Sequence, residues 1–112
     1  MDILSIPNDT FVVKITGRYI IEDVCPFFQT VENLADNIDA IAKFGFGTPT
    51  ACNTGLIGLR CGYIKQIKMP GHYVSVEENW GEKIRSLPQN KVIILPILGI
   101  KTCPNSHTYD IV

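Results

Sequence analysis

FVVKITGRYIIED, residues 11–23, is the stretch on which the reading of the fold turns. Phe11, Val13 and Ile15 alternate with Val12 and Lys14, the period of a strand. Pro7, Asn8 and Asp9 punctuate its start. The strand then meets a polar knot, Thr16-Gly17-Arg18-Tyr19, before Ile20 and Ile21 resume the apolar run. A turn accounts for the glycine but not for the arginine and tyrosine. A strand-end arginine offers a planar fork for a carboxylate or phosphate. The plainer reading, favoured when the knot is taken alone, is a turn with Arg18 in an ion pair to a carboxylate and Tyr19 packed on the core.

Outward from that strand, TVENLADNIDAIAKFG reads as a helix over residues 30–45. Thr30 serves as N-cap, Glu32 lies in the first turn, and Val31, Leu34, Ile38 and Ile41 form one stripe. Lys43 and Gly45 close it. Residues 44–55 read as a loop rich in glycine and small polar residues. LIGLRCGYIKQI then gives a short strand and a short helix near 63–67, and YVSV (73–76) a short strand. The spacing predicts a helix over 77–87, with Glu77 and Glu78 at its front and Lys83 and Arg85 near its end. Gly81 weakens that helix by about 1 kcal/mol relative to alanine. KVIIL (91–95) reads as a buried strand, and the tail turns at 104–106 into an extended end. The order of elements predicts one α/β domain over residues 1–112: a small mixed sheet with two to three helices.

A chain of 112 residues holds one core. Its hydrophobic fraction of 46% and charged fraction of 19% place it among globular proteins. A formal net charge of −1 leaves no basic surplus for nucleic acid, and the longest apolar run, 92–100, is too short to span a membrane. The N-terminus has no basic and apolar leader pattern, so the expected location is cytoplasmic. Four cysteines, Cys25, Cys52, Cys61 and Cys103, lack metal-site spacing and read as reduced, mostly buried thiols. His72 and His107 stand alone in loops.

Three places offer chemistry. Thr16, Gly17, Arg18 and Tyr19 form the first. Asn53, Thr54 and Gly55 could floor a ligand cleft, or simply join a loop to a strand. Glu77 and Glu78 could hold two different pKa values, repulsion and desolvation raising one into the range of a general base; helix capping is the plainer use. No phosphate-binding glycine loop, dinucleotide fingerprint, nucleophile elbow or D-x-D pair occurs.

In order, VVKITGRYII, NTGLIGLRCGYIKQI, SVEENWGEKI and VIILPILGIKTCP resemble the later part of glycosyltransferase-like proteins of bacteria and large DNA viruses, over roughly residues 9–104. That group repeats a K-[IL]-[ST]-G-R-Y strand end, a T-G-[LIF]-[FI]-G-[LM]-R segment, a Glu-led helix and a late L-G-I. The resemblance implies the second half of a type-A nucleotide-sugar fold. It implies Thr16, Gly17, Arg18 and Tyr19 at the edge of the donor cleft, and Thr54 and Gly55 near the sugar or acceptor. Glu77 or Glu78 would be the base that deprotonates the acceptor hydroxyl. The implied partners are a nucleotide sugar and a glycan acceptor.

The nucleotide-binding first half and its metal-binding D-x-D have no counterpart in the sequence. The chain is then a fragment or a reduced relative. It is expected to hold no cofactor itself, any divalent metal coming with the missing half, and to work with that half or as a homo-oligomer. Two other readings compete: a small non-enzymatic binding protein, such as an inhibitor or immunity protein, and an unrelated small enzyme using Cys52, Cys61 or the acidic pair.

Overall fold

The computed structural model describes residues 3–16, 19–67, 75–105 and 108–112, and for residues 102–105 and 108–110 it describes the backbone. The domain is mixed α/β. Its central sheet has four strands in the order β1-β4-β3-β5: β1 is Phe11–Ile15, β3 Ala40–Ala42, β4 Leu56–Arg60 and β5 Val92–Ile94. A second, three-stranded antiparallel sheet runs β2-β6-β7, with β2 Tyr19–Ile21, β6 Ile100–Asn105 and β7 Thr108–Ile111. Three α-helices lie among the described residues: α1 Pro26–Glu32, α2 Cys61–Ile64 and α3 Val76–Arg85.

The apolar run of β4 explains its central place. It pairs antiparallel with β1 on one side and β3 on the other. Leu56, Ile57 and Leu59 are fully buried, because both faces of β4 are covered. Successive side chains of a strand point to opposite faces. Leu56 therefore joins Phe27 of α1, Ile41, Leu98 and Ile100, whereas Ile57 and Leu59 join Ala40, Ala42 and Ile84 of α3. One strand thus anchors two hydrophobic clusters.

Arg60 fastens the end of β4. Its guanidinium donates to the carbonyls of Ile38, Asp9 and Asp36 at 3.0, 3.0 and 3.3 Å. It also lies over the Phe11 ring, 5.2 Å from the centroid. Three carbonyls from separate segments converge on one planar fork.

The helix expected over 30–45 does not form. Pro26 takes the first helical position, where its missing N–H costs nothing, and α1 ends at Glu32. Thr30 is inside α1, not at its cap, and its hydroxyl donates to the Pro26 carbonyl at 2.8 Å. Asn33, Asp36, Asn37 and Asp39 then favour turns over helix continuation. Ala40–Ala42 becomes a strand because β4 and β5 on either side satisfy its backbone. Val31, Leu34, Ile38 and Ile41 nevertheless all reach the same cluster. The stripe was a correct sign of burial and a wrong sign of backbone shape.

Further expectations change. The strand at 92–94 is an edge, not a buried strand: Ile94 is exposed. Of the strand expected at 73–76, residues 73 and 74 lie outside the described residues, and Val76 opens α3. Ser75 is the α3 N-cap; its hydroxyl accepts from the Glu78 N–H at 3.1 Å. The helix expected near 63–67 instead spans Cys61–Ile64. Of the turn expected at 104–106, residues 104 and 105 lie in strand β6 and residue 106 is outside the described residues; the tail is otherwise extended, as β6 and β7.

Gly81, a weak residue for a helix, has a packing reason. A Cβ there would lie 2.3 Å from the Thr50 carbonyl oxygen. Loop 44–52 presses directly onto α3, and only glycine permits the approach. Among the described residues no helix is long and apolar enough to cross a membrane.

Candidate functional site

Six of the residues singled out in the sequence meet at one cleft of about 330 Å³: Thr16, Tyr19, Asn53, Thr54, Gly55 and Glu77. Lys14, Phe46 and Val76 complete the described lining. Gly17 and Arg18 lie outside the described residues, as do His72 and His107.

The cleft is built where β1 ends against the start of β4. The Thr16 N–H donates to the Gly55 carbonyl at 2.9 Å, extending the β1–β4 ladder by one step. Lys14 Nζ donates to the Thr54 carbonyl at 2.9 Å, and to Thr16 Oγ1 at 3.4 Å. The Thr16 hydroxyl donates to the same Thr54 carbonyl at 3.3 Å. Asn53 Oδ1 accepts from the Gly55 N–H at 2.8 Å, which folds the floor tightly. Gly55 is bare because Tyr19 lies on it: a Cβ would meet the phenol ring at 2.3 Å. Asn53 and Thr54 are buried polar residues, the usual mark of a fixed rather than solvated floor.

The two glutamates part company. Glu77 faces the cleft, where Thr54 Oγ1 donates to it across a long 3.5 Å. That leaves its oxygens capacity for a ligand hydroxyl. Its backbone carbonyl accepts from the Cys52 N–H at 3.1 Å, tying α3 to the floor. Glu78 is not part of the cleft lining. Its carboxylate accepts from the hydroxyls of Thr48 and Thr50, the latter at 2.9 Å, with Arg85 Nη2 at 4.0 Å. The Thr48 hydroxyl foremost, then Thr50 and Arg85, holds its carboxyl below the usual carboxylate range. The expectation that one of the pair is raised therefore fails at Glu78: hydrogen bonds to the anion outweigh desolvation.

Cysteine chemistry finds no support. Cys25, Cys52 and Cys61 are buried and free, and the Cys103 side chain is outside the described residues. Burial, with the charge of Glu77 adding to it, pushes the Cys52 thiol up to about 12, far from a thiolate at neutral pH. No three His, Cys, Asp or Glu side chains converge to hold a metal ion among the described residues.

The sequence reading missed Lys14, Phe46 and Val76 as cleft residues. Lys14 could have been found, since a lysine on an otherwise apolar strand must lead its charge to a partner. Phe46 carried no signal beyond the glycines on either side. A second cavity, of about 400 Å³, lies between α3 and β5 and is mostly apolar, with Phe44, Ile84, Leu87 and Val92 in its walls. The described residues thus define a small α/β domain with a polar, aromatic-edged cleft. Compared with protein-family models, curated proteins and solved structures, the chain matches none.

Proposed function

We propose that the cleft is the acceptor side of a glycosyltransferase-like site. A sugar hydroxyl of the acceptor is held against Glu77, which takes its proton as the oxygen attacks the anomeric carbon of a nucleotide sugar. The new glycosidic bond forms, the bond to the nucleoside diphosphate breaks, and that group leaves with the electron pair. The convergence of Glu77, the Thr16 and Thr54 hydroxyls, Lys14 and the rings of Tyr19 and Phe46 on one cleft is the observation that supports this reading. Hydroxyl, amide and charged groups satisfy sugar hydroxyls, while aromatic rings cover the apolar face of a sugar ring. Its volume lies at the small end of the range for ligand sites, about 300–1,000 Å³. The described residues do not fit a divalent metal, and no step is routed through one.

The test is saturation-transfer NMR with methyl glycosides and short oligosaccharides. Saturable binding that weakens in Thr54→Val is the expected result; no saturable binding to any sugar overturns the reading. In the complete transferring assembly, Glu77→Gln should lower turnover by about 10²–10⁴-fold. Unchanged turnover would remove Glu77 from the mechanism.

A second reading, a non-enzymatic binding protein, draws on the outer sheet. Ile20, Ile21 and Ile111 are exposed on its two edge strands, and Val24 follows close behind. Apolar exposure on both edge strands suits a protein partner. Ile20→Lys with Ile111→Lys should then abolish association and leave sugar binding intact.

A further inference from the structure

Loop 44–52 carries an aromatic ring to the cleft and is fastened by a group outside it. Phe46 lines the cleft and is about half exposed. It stands between Gly45 and Gly47, whose φ values of 94° and 83° only glycine adopts readily. A residue between two such glycines has a backbone that its own side chain does little to restrain. The base of the loop is fixed, since the N–H groups of Gly45 and Phe46 both donate to the Ala51 carbonyl, at 2.9 and 3.2 Å. Its far arm is fixed by Glu78, which accepts from Thr48 and Thr50 at once. Thr48 Oγ1 in turn accepts from the Ala51 N–H at 3.2 Å. The backbone of this arm also rests on α3, with the Thr50 carbonyl against Gly81 and the Cys52 N–H donating to the Glu77 carbonyl at 3.1 Å, but Glu78 is what holds its threonine side chains.

We propose that Phe46 is a stacking platform for the apolar face of a pyranose ring in the cleft, and that Glu78 is the positioning residue that sets it there through Thr48 and Thr50. The proposal rests on the cleft taking a sugar, and it deepens that reading by naming the ligand: a six-membered ring with one apolar face. It also gives the adjacent glutamates separate tasks. Glu77 faces the ligand; Glu78 faces the loop that covers it. The platform favours a ring over an open-chain polyol with the same hydroxyls, because only the ring presents a flat C–H face to phenylalanine.

The experiment uses the whole chain, with methyl β-glucopyranoside and glucitol as probes. Phe46→Ala should weaken glucopyranoside binding roughly three- to tenfold and leave glucitol binding unchanged. Glu78→Ala should do the same without touching the ligand. Thr48→Val with Thr50→Val removes the same contact from the loop side and spares α3, so that a folding defect in Glu78→Ala leaves the question decidable. Combining Phe46→Ala with either should add nothing further, since one contact is lost only once. In the free protein, the Phe46 ring resonances and amide exchange over residues 45–51 should change in the Glu78 and threonine variants. Unchanged ring resonances and exchange overturn the positioning role, whatever the ligand does. Equal losses for glucopyranoside and glucitol overturn the platform. Absence of binding by the unsubstituted protein overturns the sugar reading and the platform with it, while the resonances still decide whether Glu78 holds the loop.

Discussion

The two sheets of the molecule are built from similar residues and buried very differently. In the central sheet, β4 has helices or sheet on both faces, and Leu56, Ile57 and Leu59 are fully buried. In the outer sheet, Ile20, Ile21 and Ile111 are exposed on strands with nothing described beyond them. An isoleucine is therefore no guide to stability until its strand's place in the order is known. The cleft sits where the two meet, between the end of β1 and the start of β2. Its floor comes from the well-buried sheet and its wall, Tyr19, from the exposed one.

The sharpest way to break the contrast is to cut into β4. Leu59→Ala should cost about 2–5 kcal/mol, read as a drop in urea midpoint. A smaller loss would mean the central cluster collapses around the gap. Gly81→Ala comes next: in an ordinary helix it would stabilise by about 1 kcal/mol. Here the new methyl meets the Thr50 carbonyl, so thermal unfolding should show a loss of roughly 1–3 kcal/mol instead. A gain would show that the loop gives way at no cost.

The Glu78 contact should appear as a pH effect. Its carboxyl is held below its unfolded value, by Thr48, Thr50 and Arg85, so the folded state binds this proton less readily than the unfolded state. Its contribution is then fully present above the unfolded carboxylate pKa and fades as pH falls through the lower folded value. The gap in urea midpoint between the natural protein and Glu78→Gln should be constant near neutrality and close in acid. A gap that widens in acid would reverse the assignment. The smallest effect belongs to the outer sheet: Ile20→Lys should change stability by no more than about 0.5 kcal/mol in the same assay.

Much of the cleft was legible in the sequence because its residues break local pattern. Thr16, Tyr19, Thr54, Gly55 and Glu77 are polar or bare where apolar neighbours lead into them, and such breaks are where chemistry or close approach is needed. The mixed α/β class was legible for a similar reason, from strand and helix periods in alternation. The segment 33–42 was not. Its apolar spacing suits a helix, yet its backbone partners come from β4 and β5, which are distant in sequence. Local spacing reports what is buried; hydrogen-bond partners fixed by the rest of the chain decide the shape. The second sheet was hidden likewise, since β2 pairs with β6 across about eighty residues. Phe46 was unreadable because its place at the cleft depends on the turn that two positive-φ glycines give the loop.

Arg60 has a consequence for the time course of folding. Its carbonyl partners lie 22, 24 and 51 residues away along the chain. None of those bonds can form until loops of that length have closed, and each closure costs entropy before any contact repays it. The β1–β4 ladder carries the same debt, with Phe11 opposite Arg60. Arg60 thus ratifies an assembled sheet and does little to start it. Truncating it should accelerate unfolding while barely slowing folding, the signature of a clasp that shuts last.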